Sequence, residues 1–350
     1  MAKIAIVTQQ ENNLSCKYLK TALEHEGHEV TFIQYPNDRR PDSEKGADWE
    51  FKDDTTLTRG EEIIHVSDFD GVILRSWGSA HKGKEVIEKF EAAGVVSANE
   101  TKFTTISNSK VDTTTKFRES DIPMPYSEEY LYENYQPQQL THFFQKNAGT
   151  QQRIVIKPDY GTLGESIKFP QSIEESQSII ESFRDTGHKG FVLQKFVDTD
   201  IDGKGKNVFR VIVVGGEVLG ALQGYMTNEE LSINYVKAKS ASPIGEGSFE
   251  VFTKSELSSA NPKAASLALD AAKALGNEIC CGVDIIQGHQ GFYVLEANDS
   301  PNLSSFHDQG IDVCEPFAKA FAAKIEKTQS PTNSPAQAKN KAQAELQQGL

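Results

Sequence analysis

Residues 294–302 read VLEANDSPN, and residues 280–288 just upstream read CCGVDIIQG. The two runs predict neighbouring apolar strands, 280–287 and 291–297, joined in a hairpin turned at Gly288–Gly291. Asp284, Glu296 and Asn298 lie on this hairpin as three hard oxygen ligands. Glu296 and Asn298 are two residues apart, so on an extended strand they face the same side. Asp284 approaches them from the adjacent strand. Oxygens of this kind suit Mg²⁺, which takes a few protein ligands and completes its octahedron with substrate phosphates. Taken alone, the same residues also describe an acidic strand end with a turn at Ser300-Pro301.

Working outward, a helix at 262–275 carries Ala and Leu on one face and ends at Gly276, ahead of the hairpin. Further upstream, VFRVIVVGGEVLGALQ at 208–223 reads as two strands, 208–214 and 217–223, turned at Gly215-Gly216. Arg210 stands on this apolar hairpin and points inwards if its neighbours alternate. A buried charge needs a partner; a ligand and a core carboxylate are both open readings. FVLQKFV at 191–197 ends a strand that starts near 190. Its end can offer backbone groups to an adenine edge while Phe196 and Val197 line the ring.

The segment IVIKPDYGTLGESIKF at 154–169 places Lys157 between strands at 153–158 and 166–169, with Gly161 and Gly164 in the connection. Glycines let backbone N–H groups approach phosphates without side-chain obstruction. A plain β-hairpin with a surface lysine is the alternative. No GxxxxGK[ST] run is present, which disfavours P-loop chemistry. Helices are expected at 108–119, stopped by the prolines of DIPMP, and at 172–185.

The amino-terminal hundred residues alternate: strand 3–8, helix 14–27, strand 30–35, strand 71–75, helix 83–93, strand 94–97. That order predicts an open α/β domain with its binding edge at the strand carboxyl ends, where Arg75 is placed to clamp a carboxylate. Residues 37–62 lack a period and read as a long loop or insertion. From 328 the chain is too polar to bury a core and reads as a disordered tail.

With 350 residues the chain accommodates two or three domains, and 37% hydrophobic residues fit a soluble globular protein. A net charge of −14 argues against a nucleic-acid surface, because phosphate backbones need clustered Lys and Arg. No membrane span or signal peptide stands out. The four cysteines, Cys16, Cys280, Cys281 and Cys314, lack zinc-ligand spacing and read as buried thiols of a reducing cytoplasm.

In order along the chain, LRSWG, FEAAGVVSANE, NSKVDTTTKFRESDIPMP, IVIKPDYGTLGES, FVLQKFV, the Arg210 hairpin, NYVKAKSAS and VLEANDSPN resemble the ATP-grasp superfamily, most closely its RimK-like carboxylate–amine ligases. The resemblance covers residues 70 to 315. It implies an α/β ATP-grasp fold: an N-terminal open α/β domain (1–107), then two α+β subdomains (108–194 and 195–327) clasping ATP, then the tail (328–350). It implies ATP and Mg²⁺, with Mn²⁺ as a substitute. Asp284, Glu296 and Asn298 fall on the metal ligands. Lys110 and Lys157 fall on the phosphate lysines, Gly161 and Gly164 on the flexible loop. Gln194, Lys195, Phe196 and Val197 match the adenine hinge, Asn234 and Lys237 the asparagine stretch, and Arg210 the arginine that steadies the transferring phosphoryl group beside Lys157.

The chain departs from the family pattern at three places: Lys195 where a glutamate is usual, Val208 where an acid is usual, and Ser232 or Ile233 in place of an arginine. Lys237 or Lys239 can restore that last charge, without the planar fork of arginine.

The implied reaction is phosphorylation of a carboxylate to an acylphosphate, which an amine then attacks. The implied product adds an amino acid such as glutamate to a peptide, protein or small acceptor, and the chain can also assemble with itself. His307 is a candidate base, a surface histidine being the other reading. Two further readings are a nucleotide-binding regulatory module without turnover and an ATP-grasp kinase of small molecules.

Overall fold

The computed structural model of the chain describes residues 1–35, 48–75, 80–149, 152–161, 167–201, 203, 206–226, 249–277 and 279–330. Contacts divide it into two units: Met1–Ser76 with His81–Ala98 and the segment from Cys314 onward, and Asn99–Val313 with Trp77–Ala80.

The first unit is built on a parallel sheet of order β2-β1-β6-β7, from Lys3–Thr8 (β1), Glu29–Gln34 (β2), Gly71–Arg75 (β6) and Val96–Ser97 (β7). β1 and β6 are buried along nearly their whole length, as strands covered on both faces must be. The crossover helix Leu14–His25 (α1) is capped by Asn13, whose side chain accepts the N–H groups of Ser15 and Cys16. It buries Cys16, Leu19, Ala22 and Leu23, and the chain turns at Gly27 with φ 84°.

Across the span expected to be a long loop or insertion and just past its end, the chain folds Glu50–Phe51 (β3), Thr56–Arg59 (β4) and Glu62–His65 (β5) into a three-stranded antiparallel sheet. Its strands are short and rich in charge, so the period of two is too brief to stand out. What holds them is tertiary: Trp49 and Leu57 enter the first unit's core. The Arg59 guanidinium lies 4.7 Å from the centre of the Trp49 ring. Residues 37–47 of that span lie outside the described residues.

Helix Ala80–Ala92 (α2) follows β6. The last helix, Cys314–Gln329, packs on α1 and β7, and its Phe317, Phe321 and Ile325 are fully buried. Contacts place this helix with the first unit. Of the expected tail, residues 328–330 are described and the helix runs to Gln329; 331–350 lie outside.

The second unit opens with two helices, Thr101–Asn108 (α3) and Lys110–Glu119 (α4), in place of a single helix from 108. Ser109 breaks them: its extended backbone makes it the N-cap of α4, its Oγ accepting the Asp112 N–H at 3.0 Å. A three-stranded antiparallel sheet of order β8-β10-β9 follows, from Ser127–Leu131 (β8), Ile154–Pro158 (β9) and Gly190–Lys195 (β10). Helices Pro137–Asn147 (α5) and Ile173–Asp185 (α6) cover it, with Phe143, Phe183 and Phe191 at their contact. The strand expected at 166–169 reduces to one antiparallel bridge between Lys168 and Ile156.

The second sheet of this unit has five antiparallel strands, order β13-β12-β11-β14-β15. They are Lys206–Val214 (β11), Glu217–Met226 (β12), Phe249–Thr253 (β13), Cys280–Gly288 (β14) and Gly291–Asn298 (β15). Gly215 and Gly216 turn β11 into β12 with φ of 58° and 78°, as a two-residue hairpin requires. Helices Lys254–Ala260 (α7) and Pro262–Leu275 (α8) follow β13, and the alanine face of α8 packs on the sheet at Ala264, Ala268 and Ala271.

Candidate functional site

The five-stranded sheet places three of the expected residues in one row. Register pairs Arg210 of β11 with Asp284 of β14, and Asp284 with Glu296 of β15. Directly paired residues of antiparallel strands share a face, so the guanidinium and both carboxylates stand on the same side. Asn298 pairs with Gly282 one step along, on that same face. Its Nδ2 donates to the Gly282 carbonyl at 3.4 Å, so the atom it could offer a metal is Oδ1.

The side chain of Arg210 is spoken for. Its Nε donates to Asp284 Oδ1 at 2.7 Å and its Nη2 to Oδ2 at 2.6 Å, a two-pronged ion pair with Asp284 only 2% exposed. Of the two readings the sequence left open, the carboxylate partner is present, and it is one of the expected metal ligands. Among the described residues no group of three or more His, Cys, Asp or Glu gathers as a metal cluster. The set here is two carboxylates and one amide, whose hard oxygens fit Mg²⁺ rather than zinc. Gly282 lets this sheet edge close: a Cβ there would sit 2.7 Å from Pro301 Cβ.

The three-stranded sheet carries the lysines. Lys157 lies near the end of β9, 6% exposed and paired in register with Val192. Lys110 is the first residue of α4, and its Nζ donates to the Gly161 carbonyl at 2.8 Å. The structure therefore brings Lys110 to the loop that follows Lys157. Gly164, Asn234 and Lys237 lie outside the described residues, as do Ser232, Ile233 and Lys239.

At the expected adenine hinge the side chains divide. Gln194 is buried and its Nε2 donates to Ser127 Oγ at 2.9 Å, so this amide braces β8 against β10. Lys195 is exposed, and its main-chain N–H is taken by Tyr126 O at 2.8 Å. Phe196 meets Phe169 edge-on at 6.2 Å, with the Arg153 guanidinium 5.5 Å from its ring centre. Val197 packs on β14 so closely that a Cβ at Gly288 would stand 2.5 Å from its Cγ1.

Two residues that the motifs passed over hold these pieces. Asn207 is 3% exposed; its N–H donates to Thr199 Oγ1 at 3.1 Å and its Oδ1 accepts the Gln287 N–H at 3.2 Å, tying the segment after the hinge to β14. Asp159 accepts the Ser109 hydroxyl at 2.6 Å. The S-x-x-D spacing of 109–112 marks a helix start in the sequence, but nothing in it points to Asp159, fifty residues on. His188, beside Asp159 and Lys110, has its pKa lowered, chiefly by burial and further by Lys110, with Asp159 opposing. His307 ends the short helix Ser304–His307 and is exposed, as the surface reading has it. Arg75 belongs to the first unit, 3% exposed at the end of β6 and paired in register with Thr8.

Residues 120–321 match the model of the RimK-like ATP-grasp domain, more than half of the chain. The chain belongs to the RimK-like ATP-grasp family. ATP-dependent joining of a carboxylate to an amine is the reaction class that comes with membership. A curated relative from Pseudoalteromonas atlantica, named "Probable alpha-L-glutamate ligase 2", is 29% identical over 302 residues, 86% of this chain and 88% of its own length.

Solved structures agree on the ATP-grasp fold. The D-alanine–D-alanine ligase of Bacillus anthracis, complexed with ATP, gives a TM-score of 0.63 at 16% identity, covering 94% of this chain and 98% of that one. The ATP-grasp ligase PsnB, solved with a minimal precursor, Mg and ADP, gives 0.60 at 18% identity, covering 92% and 97%. Among the described residues no helix is long and apolar enough to cross a membrane.

Proposed function

We propose that this RimK-like protein adds an amino acid, glutamate first among candidates, to the amine of a peptide, protein or small acceptor at the expense of ATP. The observation that carries the site assignment is the row Arg210–Asp284–Glu296 across three strands of one sheet. The glutamate preference is supported by the name of the Pseudoalteromonas relative.

In this reading Asp284, Glu296 and the Asn298 carbonyl hold Mg²⁺, which supplies positive charge to a bound triphosphate. Lys157 and Lys110 meet the phosphates, and an ammonium desolvated as Lys157 is acts far more strongly than one in water. Arg210 has its Nε and Nη2 on Asp284, so Asp284 fixes the plane in which its remaining N–H donors lie when phosphoryl transfer develops charge. Phe196 and Val197 present apolar surface to adenine. Arg75, at the strand end of the first unit, is proposed to receive the substrate carboxylate. The acylphosphate is open to water, so the loop that includes Gly161 serves to exclude it.

ADP release measured on the full chain against panels of carboxylates and amines tests the reading. Release that requires both partners supports ligation. Release with a stable phosphorylated product and no amine requirement assigns a kinase instead, and tight ATP binding with no release assigns a regulatory module. Glu296→Gln should abolish Mg²⁺-dependent turnover while the melting temperature stays close to that of the parent; undiminished turnover removes Glu296 from the metal site.

A further inference from the structure

Lys110 and Lys157 come from different elements, a helix start and a strand end, and one buried side chain joins them. Asp159, 4% exposed, sits two residues beyond Lys157. Its N–H donates to the Gly190 carbonyl at 3.0 Å, which pins it to the start of β10. Its own carbonyl accepts the Lys110 N–H at 2.8 Å. Its Oδ1 accepts the Ser109 hydroxyl at 2.6 Å and the Val111 N–H at 3.3 Å. One residue thus takes three donors of the first turn of α4, the turn on which Lys110 stands.

We propose that Asp159 is the positioning residue of the nucleotide site, setting Lys110 and the start of its helix against Lys157 and the loop at Gly161. The inference rests on the reading of Lys110 and Lys157 as phosphate ligands. A helix N-terminus ordinarily offers its N–H groups to a phosphate. Here Ser109 takes the Asp112 N–H and Asp159 takes those of Lys110 and Val111. These amides are committed, so α4 meets phosphate through the Lys110 side chain. The cross-link gives the ammonium a fixed root without offering the helix end as a second cradle. Lys110 Nζ donates to the Gly161 carbonyl, which sets the ammonium at the end of the segment that carries Lys157 and Asp159.

The test is calorimetric titration of the full-length protein with Mg-ATP, together with the KM for L-glutamate as the carboxylate. Asp159→Ala should weaken ATP roughly tenfold or more, as loss of alignment does, and leave the carboxylate KM within about twofold. Asp159→Asn keeps the Oδ1 acceptor and should recover most of that loss. Ser109→Ala removes one strut and should fall between them, which serves if Asp159→Ala fails to fold.

An Asp159→Ala or Ser109→Ala protein that binds ATP within about twofold of the parent overturns the proposal. So does a variant that loses ATP and carboxylate affinity equally, since that is general loosening. Lys110→Ala and Lys157→Ala separate the levels. If both leave ATP affinity unchanged, the phosphate reading fails and this inference with it. If both weaken it while Asp159→Ala does not, only the positioning role falls.

Discussion

Asp284 is held by a guanidinium on both oxygens, at 2.7 and 2.6 Å, inside a sheet that leaves it 2% exposed. Such a pair is weak as a source of stability but costly to break from one side, because the remaining charge stays buried. Arg210→Gln should therefore cost about 3–5 kcal/mol in denaturant unfolding of the second unit as well as activity. An activity loss without a shift in the unfolding midpoint would show that Asp284 does not depend on Arg210.

His188 gives a pH signature. Its pKa lies below the ordinary 6.5, chiefly through burial. The unfolded chain therefore binds the proton more readily, and stability is fully present above pH 6.5 and lost as pH falls through the folded pKa. His188→Gln should flatten the acid side of the melting-temperature profile, and an unchanged slope would remove His188 as its cause. The histidine was invisible in the sequence as a site residue, since its neighbours Lys110 and Asp159 are far from it along the chain. The residues proposed to hold the metal were legible because Glu296 and Asn298 lie two apart on one strand and the turn at 288–291 sets Asp284 opposite.

Hairpins carry most of what the site needs. The pairing of β14 with β15 lines up the proposed ligands, and the end of β14 lies against Val197 of the expected hinge. A Cβ added at Gly288 would sit 2.5 Å from Val197 Cγ1 and 3.4 Å from the Asp198 carbonyl oxygen. Gly288→Ala should displace the hinge and cost about 1–3 kcal/mol of overpacking, raising the KM for ATP more than that for the carboxylate; equal KM values in parent and variant would show that the hinge tolerates the shift. Patterns of length gave their elements away, as in α8 with its alanine face or the Gly215-Gly216 turn. Short elements did not. β3, β4 and β5 have two to four residues each, and their place depends on Trp49 and Leu57 reaching a core built by other segments.

On the scale of the whole chain, the first unit is assembled from both ends. Phe321 and Ile325 come within 2.8 and 2.6 Å of where a Cβ on Gly71 would lie, so the last helix packs directly on β6. Phe317, Phe321 and Ile325 are each fully buried, and removing three such side chains forfeits about 5–9 kcal/mol of burial, at 1.5–3 each. That is comparable to the whole stability of a domain. A chain ending at Val313 should lose protection across residues 1–98 in hydrogen exchange while keeping it in β11, β12 and β14; full protection of the first strands would show that the unit closes without the helix.

The sequence by itself determined the alternation of strands and helices in the first hundred residues, the two hairpins, and the ordered run of motifs that places the family. Those are local matters of period, turn chemistry and spacing. Only the tertiary structure decided that Arg210 is bound to Asp284, that Asp159 ties Lys110 to the strand of Lys157, and that the final helix belongs with the first strands. Each of these joins groups many residues apart, and a buried polar or apolar surface finds its partner through the fold rather than through its neighbours in the chain.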